Sequence, residues 1–246
     1  MYLNQTKKII FLLFFISTSS YSKEQFEGFY TQIGSGTERN SVEEVNSTSV
    51  STFNAGTQAE NFYFAKKYFK GAPIHGALGF NVRVSPKWIM GVGAEYSHLS
   101  KKSQGETIVG SSTGNFIPNV QVGIQGRYNV FMTSGLVIDK NKLLYIKAGY
   151  SRQKLVLTEP GNTSGFQRDP AVSVSDHMNG YILGLGYRQM LTDNFYGFAE
   201  ANYIKYRKAD LNFSTVATDG TYTTQTSGIN PKTSAYNLLV GLGYEY

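Results

Sequence analysis

The chain has 246 residues, with 23 Lys and Arg against 17 Asp and Glu, 3 His and no Cys, for a formal charge of +6 at pH 7. The missing cysteines exclude disulfides, thiolate catalysis and a lipidated cysteine, and the charge is too small and too dispersed to argue for nucleic acid. The length suits one domain of the β-barrel kind, in which 18 Tyr, 16 Phe and 26 Gly must find places among only 16% charged residues.

Lys7 and Lys8, the apolar run Ile9 to Ile16 and the small-x-small end Ser20-Tyr21-Ser22 follow the order of a cleaved export signal. Residues 1–22 are therefore read as a signal peptide and 23–246 as the mature barrel domain. An anchor helix needs ~20 apolar residues, and this run is far shorter. No later stretch approaches a spanning helix. A mature chain in a bilayer must then be a closed barrel, the other way to satisfy every backbone group in lipid.

Alternation of period 2 begins with Phe26 to Gly34. His75 to Val84 and Trp88 to His98 form a hairpin about Ser85-Pro86-Lys87, with Leu78, Phe80, Val82, Met90, Val92 and Ala94 on one face and Arg83 and Glu95 on the other. Pro118 to Ile138 keeps its even positions apolar almost throughout, over about twice the length a bilayer requires. It is read as a strand projecting beyond the membrane, with a bulge or an extra strand pair as alternatives. After Asp139-Lys140-Asn141, Leu144, Ile146 and Ala148 oppose Tyr145, Lys147 and Gly149. Tyr181 to Gln189 sets Leu183 and Leu185 against Gly184, Gly186 and Arg188. It turns at Thr192-Asp193-Asn194 into Phe195 to Arg207, whose polar side carries Glu200 and Asn202. Tyr236 to Tyr246 closes the set with Leu238, Val240 and Leu242 on one parity.

These segments make an all-β, eight-stranded, antiparallel up-and-down transmembrane barrel, or ten strands if Asn61 to Phe69 adds a pair. Short turns alternate with long polar stretches, roughly Thr37 to Pro73, Leu99 to Ile117, Thr158 to Asp176 and Ala209 to Thr233, as in outer-membrane barrels with short periplasmic turns and long external loops. The apolar parity then faces lipid through Leu78, Phe80, Val92, Leu144, Ile146, Leu183, Leu185, Leu238, Val240 and Leu242. The other parity lines a bore just wide enough for side chains. Glycine leaves room there for a charge network of Arg83, Glu95, Lys147, Arg188 and Glu200, which must pair because a lone buried charge is costly. Tyr96, Tyr150, Tyr187, Tyr236, Tyr244 and Tyr246 sit toward strand ends, where aromatic girdles mark the interfaces.

Ser134 to Lys154 (SGLVIDKNKLLYIKAGYSRQK) resembles the fourth strand, turn and fifth strand of small outer-membrane β-barrel proteins. These are the opacity-protein and "porin family" class, similar in architecture to the OmpA transmembrane domain and OmpX. The terminal GLGYEY resembles their last strand, with Tyr246 where most end in Phe. The resemblance implies a Gram-negative outer-membrane location. It also implies that Tyr244 and Tyr246 form the signal read by the barrel-assembly machinery.

No nucleophile motif such as G-x-S-x-G is present, and the glycines follow strands rather than opening a helix. His75, His98 and His177 are expected as unrelated residues near the loop-side rim. Lys66, Lys67 and Lys70, with Tyr68 and Phe69 between them, read as a solvated loop, with lipopolysaccharide phosphate or a host polyanion as the alternative partner. The function expected is non-enzymatic: a surface protein serving envelope integrity, adhesion or surface interaction through its loops. A small passive pore is the alternative and a lipid-modifying enzyme a more distant one. Expected partners are outer-membrane lipids including lipopolysaccharide, the assembly machinery and a host or surface ligand; no cofactor or metal is implied.

Overall fold

The computed structural model describes residues 24–53, 56–109, 116–159, 172–215 and 224–246; the expected signal peptide lies outside them. These residues form β1 (Gly28–Val42), β2 (Val45–Phe53), β3 (Gly56–Phe64), β4 (Lys67–Gly71), β5 (Ile74–Ser85), β6 (Trp88–Lys102) and β7 (Glu106–Val109). They continue with β8 (Phe116–Asp139), β9 (Lys142–Glu159), β10 (Val172–Met190), β11 (Phe195–Tyr206), β12 (Leu211–Thr215), β13 (Thr224–Ile229) and β14 (Thr233–Glu245). The strands β1, β5, β6, β8, β9, β10, β11 and β14 pair antiparallel in that order. β14 returns to β1 from Tyr30↔Glu245 to Val42↔Thr233, which closes an eight-stranded ring. A closed ring has no sheet edge to leave unpaired in hydrocarbon.

The segment Asn61 to Phe69 does not widen this ring. Its first part ends β3, in a separate four-stranded sheet ordered β12-β13-β2-β3. Its last part opens β4, which pairs with β1 from Val42↔Lys67 to Glu38↔Gly71, beyond the point where β1 leaves β5 at Ser35↔Ile74. The first and last long connections thus meet each other, through β2 and β13, above the loop-side rim.

The opposite rim holds the tight turns. Pro86-Lys87 joins β5 to β6, Lys140-Asn141 joins β8 to β9, and residues 191–194 join β10 to β11. At the second turn Asp139 Oδ1 accepts the Asn141 N–H at 2.8 Å, and Lys142 Nζ lies 2.9 Å from Asp139 Oδ2. That ammonium holds the Asp139 carboxyl below its usual range.

β8, β9 and β10 have 24, 18 and 19 residues, well beyond the 9–11 that a tilted strand needs to cross a bilayer. β8 accommodates the excess with a bulge. Gln125 pairs with Lys154 and Arg127 with Gln153, so Gly126, at φ +40°, is an extra residue relative to β9. Glycine adopts that backbone without a Cβ penalty. A bulge reverses which parity faces in: Tyr128, Val130 and Met132 point outward, whereas Ile124 and Val120 are buried. One unbroken apolar alternation therefore meets lipid on one side of Gly126 and packs an interior plug on the other.

Inside the ring, glycines are covered by rings from other strands. Tyr30 lies over Gly79, Phe131 over Gly93, Tyr145 over Gly186 and Tyr196 over Gly243, each so close that an added Cβ would collide. In a bore this narrow a large residue on one strand requires an empty position beside it. Gly186→Val should therefore cost roughly 1–3 kcal/mol, the usual range for overpacking. The check is the temperature at which the folded, fast-migrating band disappears from a denaturing gel; an unchanged temperature would mean that the Tyr145 ring is free to move aside.

Candidate functional site in the lumen and on the outer wall

The outward residues sort by height. Leu78, Phe80, Val92, Leu144, Ile146, Leu183, Leu185, Leu238, Val240 and Leu242 all stand exposed on the outer wall. On the loop side of this band the register brings Tyr96 beside Tyr128, Tyr150 beside Tyr181 and Tyr203 beside Tyr236. Ring centroids are 4.6 Å apart in the first pair and 4.7 Å in the last. On the turn side Phe29 packs on Phe80, and Tyr244 packs between Phe195 and Tyr246, with centroids 4.7–5.0 Å apart. On β14 the belts are Tyr236 and Tyr244, eight residues or roughly 26 Å apart along the strand. Tilted by ~40°, that gives a band on the order of 20 Å tall, close to the ~25 Å of such barrels. Hydrocarbon between two wet interfaces accounts for the sequence of side chains along each strand.

The bore is filled in three layers. At the turn side Phe26, Ile89, Leu143, Met190 and Leu239 pack with Tyr30, Tyr145 and Tyr196. The Arg188 guanidinium lies 4.0 Å from the centroid of Tyr30, 4.8 Å from that of Tyr196 and 5.1 Å from that of Tyr145. Desolvated cation–π contacts of this kind stabilise by about 2 kcal/mol each. Arg188 Nη2 also donates to Gln32 Oε1 at 3.2 Å.

The middle layer is ionic. Lys147 Nζ lies 3.0 Å from Glu95 Oε2 and also donates to Glu200 Oε2. Tyr145, Gln32 and Asn202 donate to Glu200, and Asn129 donates to Glu95. Asn202 continues the column to Asn237 at 2.9 Å, and Asn237 donates to Glu38 at 3.2 Å. Arg127 grips Glu38 with two hydrogen bonds of 3.0 and 2.6 Å, in the fork geometry that makes Arg–carboxylate pairs strong. Three acids and three bases make up the column, and all six are buried. Above them Ile124, Leu155, Met178, Ile182 and Ile204 pack under Phe62, Phe69, Leu211 and Ile229 from the loop-side strands.

Sequence reasoning places Glu95, Lys147, Arg188 and Glu200 in one lumen, and the structure brings Glu95, Lys147 and Glu200 into direct contact, with Arg188 one glutamine away. Arg83 does not join them. It lies at the end of β5 beside the turn, where residues 24–27 fold across the rim. Its Nε is 2.6 Å from Glu24 and 3.8 Å from Glu27, and its Nη2 donates to Gln25 O at 2.7 Å. Glu38 and Arg127 complete the network instead. Both continue the inward parity of their strands: Tyr30, Gln32, Glu38 and Asn40 on β1, and Arg127, Asn129 and Phe131 on β8.

The three histidines also separate. His98 and His177 are on the outer face, but His75 is wholly enclosed, its Nδ1 3.3 Å from Ser97 Oγ. His75, Glu95 and Glu200 offer ligand atoms within 4.8 Å of one another. Since Lys147 bonds both carboxylates, the cation at this spot is the chain's own ammonium. Of the lysine-rich segment, Lys67 to Lys70 lie in β4; Tyr68 is flanked by Arg39 at 4.2 Å and Lys66 at 5.4 Å, and Phe69 turns into the upper plug.

Removing one partner from a buried pair leaves an uncompensated charge, at a cost of about 3–5 kcal/mol. Lys147→Met should destabilise the barrel by that amount in urea titrations in lipid vesicles, and adding Glu95→Gln and Glu200→Gln should recover most of the loss. Equal stability of single and triple variants would mean that the ions do not sense one another.

No family model matches the chain. It is 27% identical over 220 residues to outer membrane protein P1 of Coxiella burnetii, an alignment covering 85% of this chain and 82% of that protein. Among solved structures, the outer membrane protease OmpT from Escherichia coli superposes with a TM-score of 0.51 at 12% identity, over 93% of this chain and 99% of OmpT. Ail, the attachment invasion locus protein of Yersinia pestis, gives 0.42 at 16% identity, over 89% of this chain and 98% of Ail. With an apolar band between two aromatic belts, a closed ring around paired ions and an outer membrane protein as its relative, the chain is a small β-barrel protein of the Gram-negative outer membrane.

Proposed function

We propose that the protein is a non-enzymatic, non-conducting surface barrel, which serves envelope integrity and contact with other surfaces through its loop-side strands. The single observation that supports this reading is the bore itself. An aromatic floor, an ionic column of three acids and three bases and an apolar plug lie in series across it. A solute would have to break a buried ion pair and displace two hydrophobic layers to pass. The same enclosure argues against catalysis in the lumen, because Glu95, Lys147, Glu200 and His75 are withheld from any substrate. The likeness to OmpT at 12% identity concerns fold alone.

On this reading the rim-side sheet of β2, β3, β12 and β13 carries specificity, as segments set on rigid scaffolds commonly do. Residues 1–22 would direct export and be removed. Tyr244 and Tyr246, on the last strand beside the turn-side belt, would present the aromatic pattern that the barrel-assembly machinery reads. Purified monomer in a planar bilayer should show no large, long-lived openings. Stable openings that persist in a Lys147→Met variant, and grow when the apolar plug is cut back by Leu155→Ala, would replace this reading with that of a small pore.

A further inference from the structure

The bulge at Gly126 does more than reverse a parity. On its other side it faces β6, where Ser97 pairs with Arg127 and Ser100 with Gln125, so that His98 and Leu99 stand opposite the one residue Gly126. The ladder is thus interrupted on both flanks of Gly126. The outer wall carries a recess of about 410 Å³ here, lined among others by Tyr96, His98, Tyr128, Arg152, Lys154 and His177.

These six come together by register across four adjacent strands. Tyr96 pairs with Tyr128, Tyr128 with Arg152, and Lys154 with His177. The two tyrosines stack at 4.6 Å, and Tyr96 OH lies 3.3 Å from His98 Nδ1. The cluster contains a guanidinium, an ammonium, two imidazoles and two phenols, and the lining holds no carboxylate. Among the described residues neither Arg152 nor Lys154 has a salt-bridge partner. In the lumen the chain pairs its cations closely; here it holds two beside two histidines without a counter-ion.

Height identifies the partner. Tyr96, Tyr128 and Tyr150 belong to the loop-side aromatic belt, and Arg152, Lys154, His98 and His177 follow immediately beyond it along their strands. That is the level of lipid headgroups in the outer leaflet, and the cluster faces sideways along the membrane rather than upward to solvent. We propose that this recess binds the phosphate of an outer-leaflet lipopolysaccharide, with Arg152 and Lys154 as the principal contacts, His98 and His177 at the flanks and the tyrosine pair against the sugar. Arg offers paired donors suited to phosphate oxygens and Lys a mobile point charge. The assignment rests on the outer-membrane location and not on the sealed lumen.

The test uses the mature chain folded in phosphatidylcholine vesicles that contain either bisphosphorylated lipid A or the same lipid with its phosphates removed. The phosphorylated lipid should raise the temperature at which the folded gel band is lost; the dephosphorylated lipid should raise it much less. Arg152→Gln with Lys154→Gln should weaken binding about tenfold or more, as loss of charged hydrogen bonds does, whereas Lys87→Gln with Lys140→Gln on the opposite rim should leave it unchanged. Equal stabilisation by both lipids, or full affinity in the Arg152/Lys154 variant, would overturn the proposal. A rise with inorganic phosphate alone as large as that with lipid would also overturn the assignment to a headgroup. If the double variant does not fold, the comparison of the two lipids on the unaltered chain decides.

Discussion

The interior of this barrel has to be solid, and its charges have to cancel within it. Eight strands enclose a space no wider than the side chains that fill it, so an ion placed there cannot keep a hydration shell. Each must be held by an opposite ion or by an aromatic face. The column from Arg188 through Glu200, Lys147 and Glu95 to Glu38 and Arg127 obeys that condition with three charges of each sign. Placing ions rather than leucines in the core has a further physical effect. A core of leucines would give both faces of every strand the same affinity for lipid, whereas an ionic core leaves each strand one face that hydrocarbon accepts.

Much of this was legible in the sequence, because membrane and lumen impose opposite demands at a period of two. Glu95, Lys147, Arg188 and Glu200 stand out as charges on the glycine-bearing parity, and ten outward apolar residues stand out on the other. Arg83 shows where that logic stops. Parity gives a side chain's direction but not its height, and beside a turn the inward direction leads to the rim and to Glu24. Glu38 was obscured for a related reason: the Ser, Thr and Asn content after Gly36 reads as loop, although the inward parity runs on through Glu38 and Asn40. Arg127 was visible in the odd positions of β8 once the apolar even positions were set aside.

Of the loop-side strands only the Asn61 to Phe69 stretch, in β3 and β4, showed in the sequence. β2 and β13 are runs of Ser, Thr, Asn, Gln and Gly with little apolar alternation, and they pair because two connections, distant in sequence, leave the ring side by side. Such pairing depends on the geometry of the closed ring, which no local pattern encodes. The upper plug illustrates the same dependence. Val120, Val122 and Ile124 look lipid-facing by arithmetic, and a single left-handed glycine turns them inward.

That glycine sits just past the outer tyrosine belt, and its position says where this wall tolerates changes of length. Between the belts, inserting or deleting one residue would exchange the two faces of the strand from that point on. It would send Lys147 toward hydrocarbon or Leu144 toward the ions, so only paired changes of two residues preserve the structure there. Beyond the belt the outer face is no longer held to hydrocarbon, and a single extra residue was absorbed there. Length variation among proteins built on this plan should accordingly accumulate outside the bilayer, with strand lengths inside it changing by even numbers.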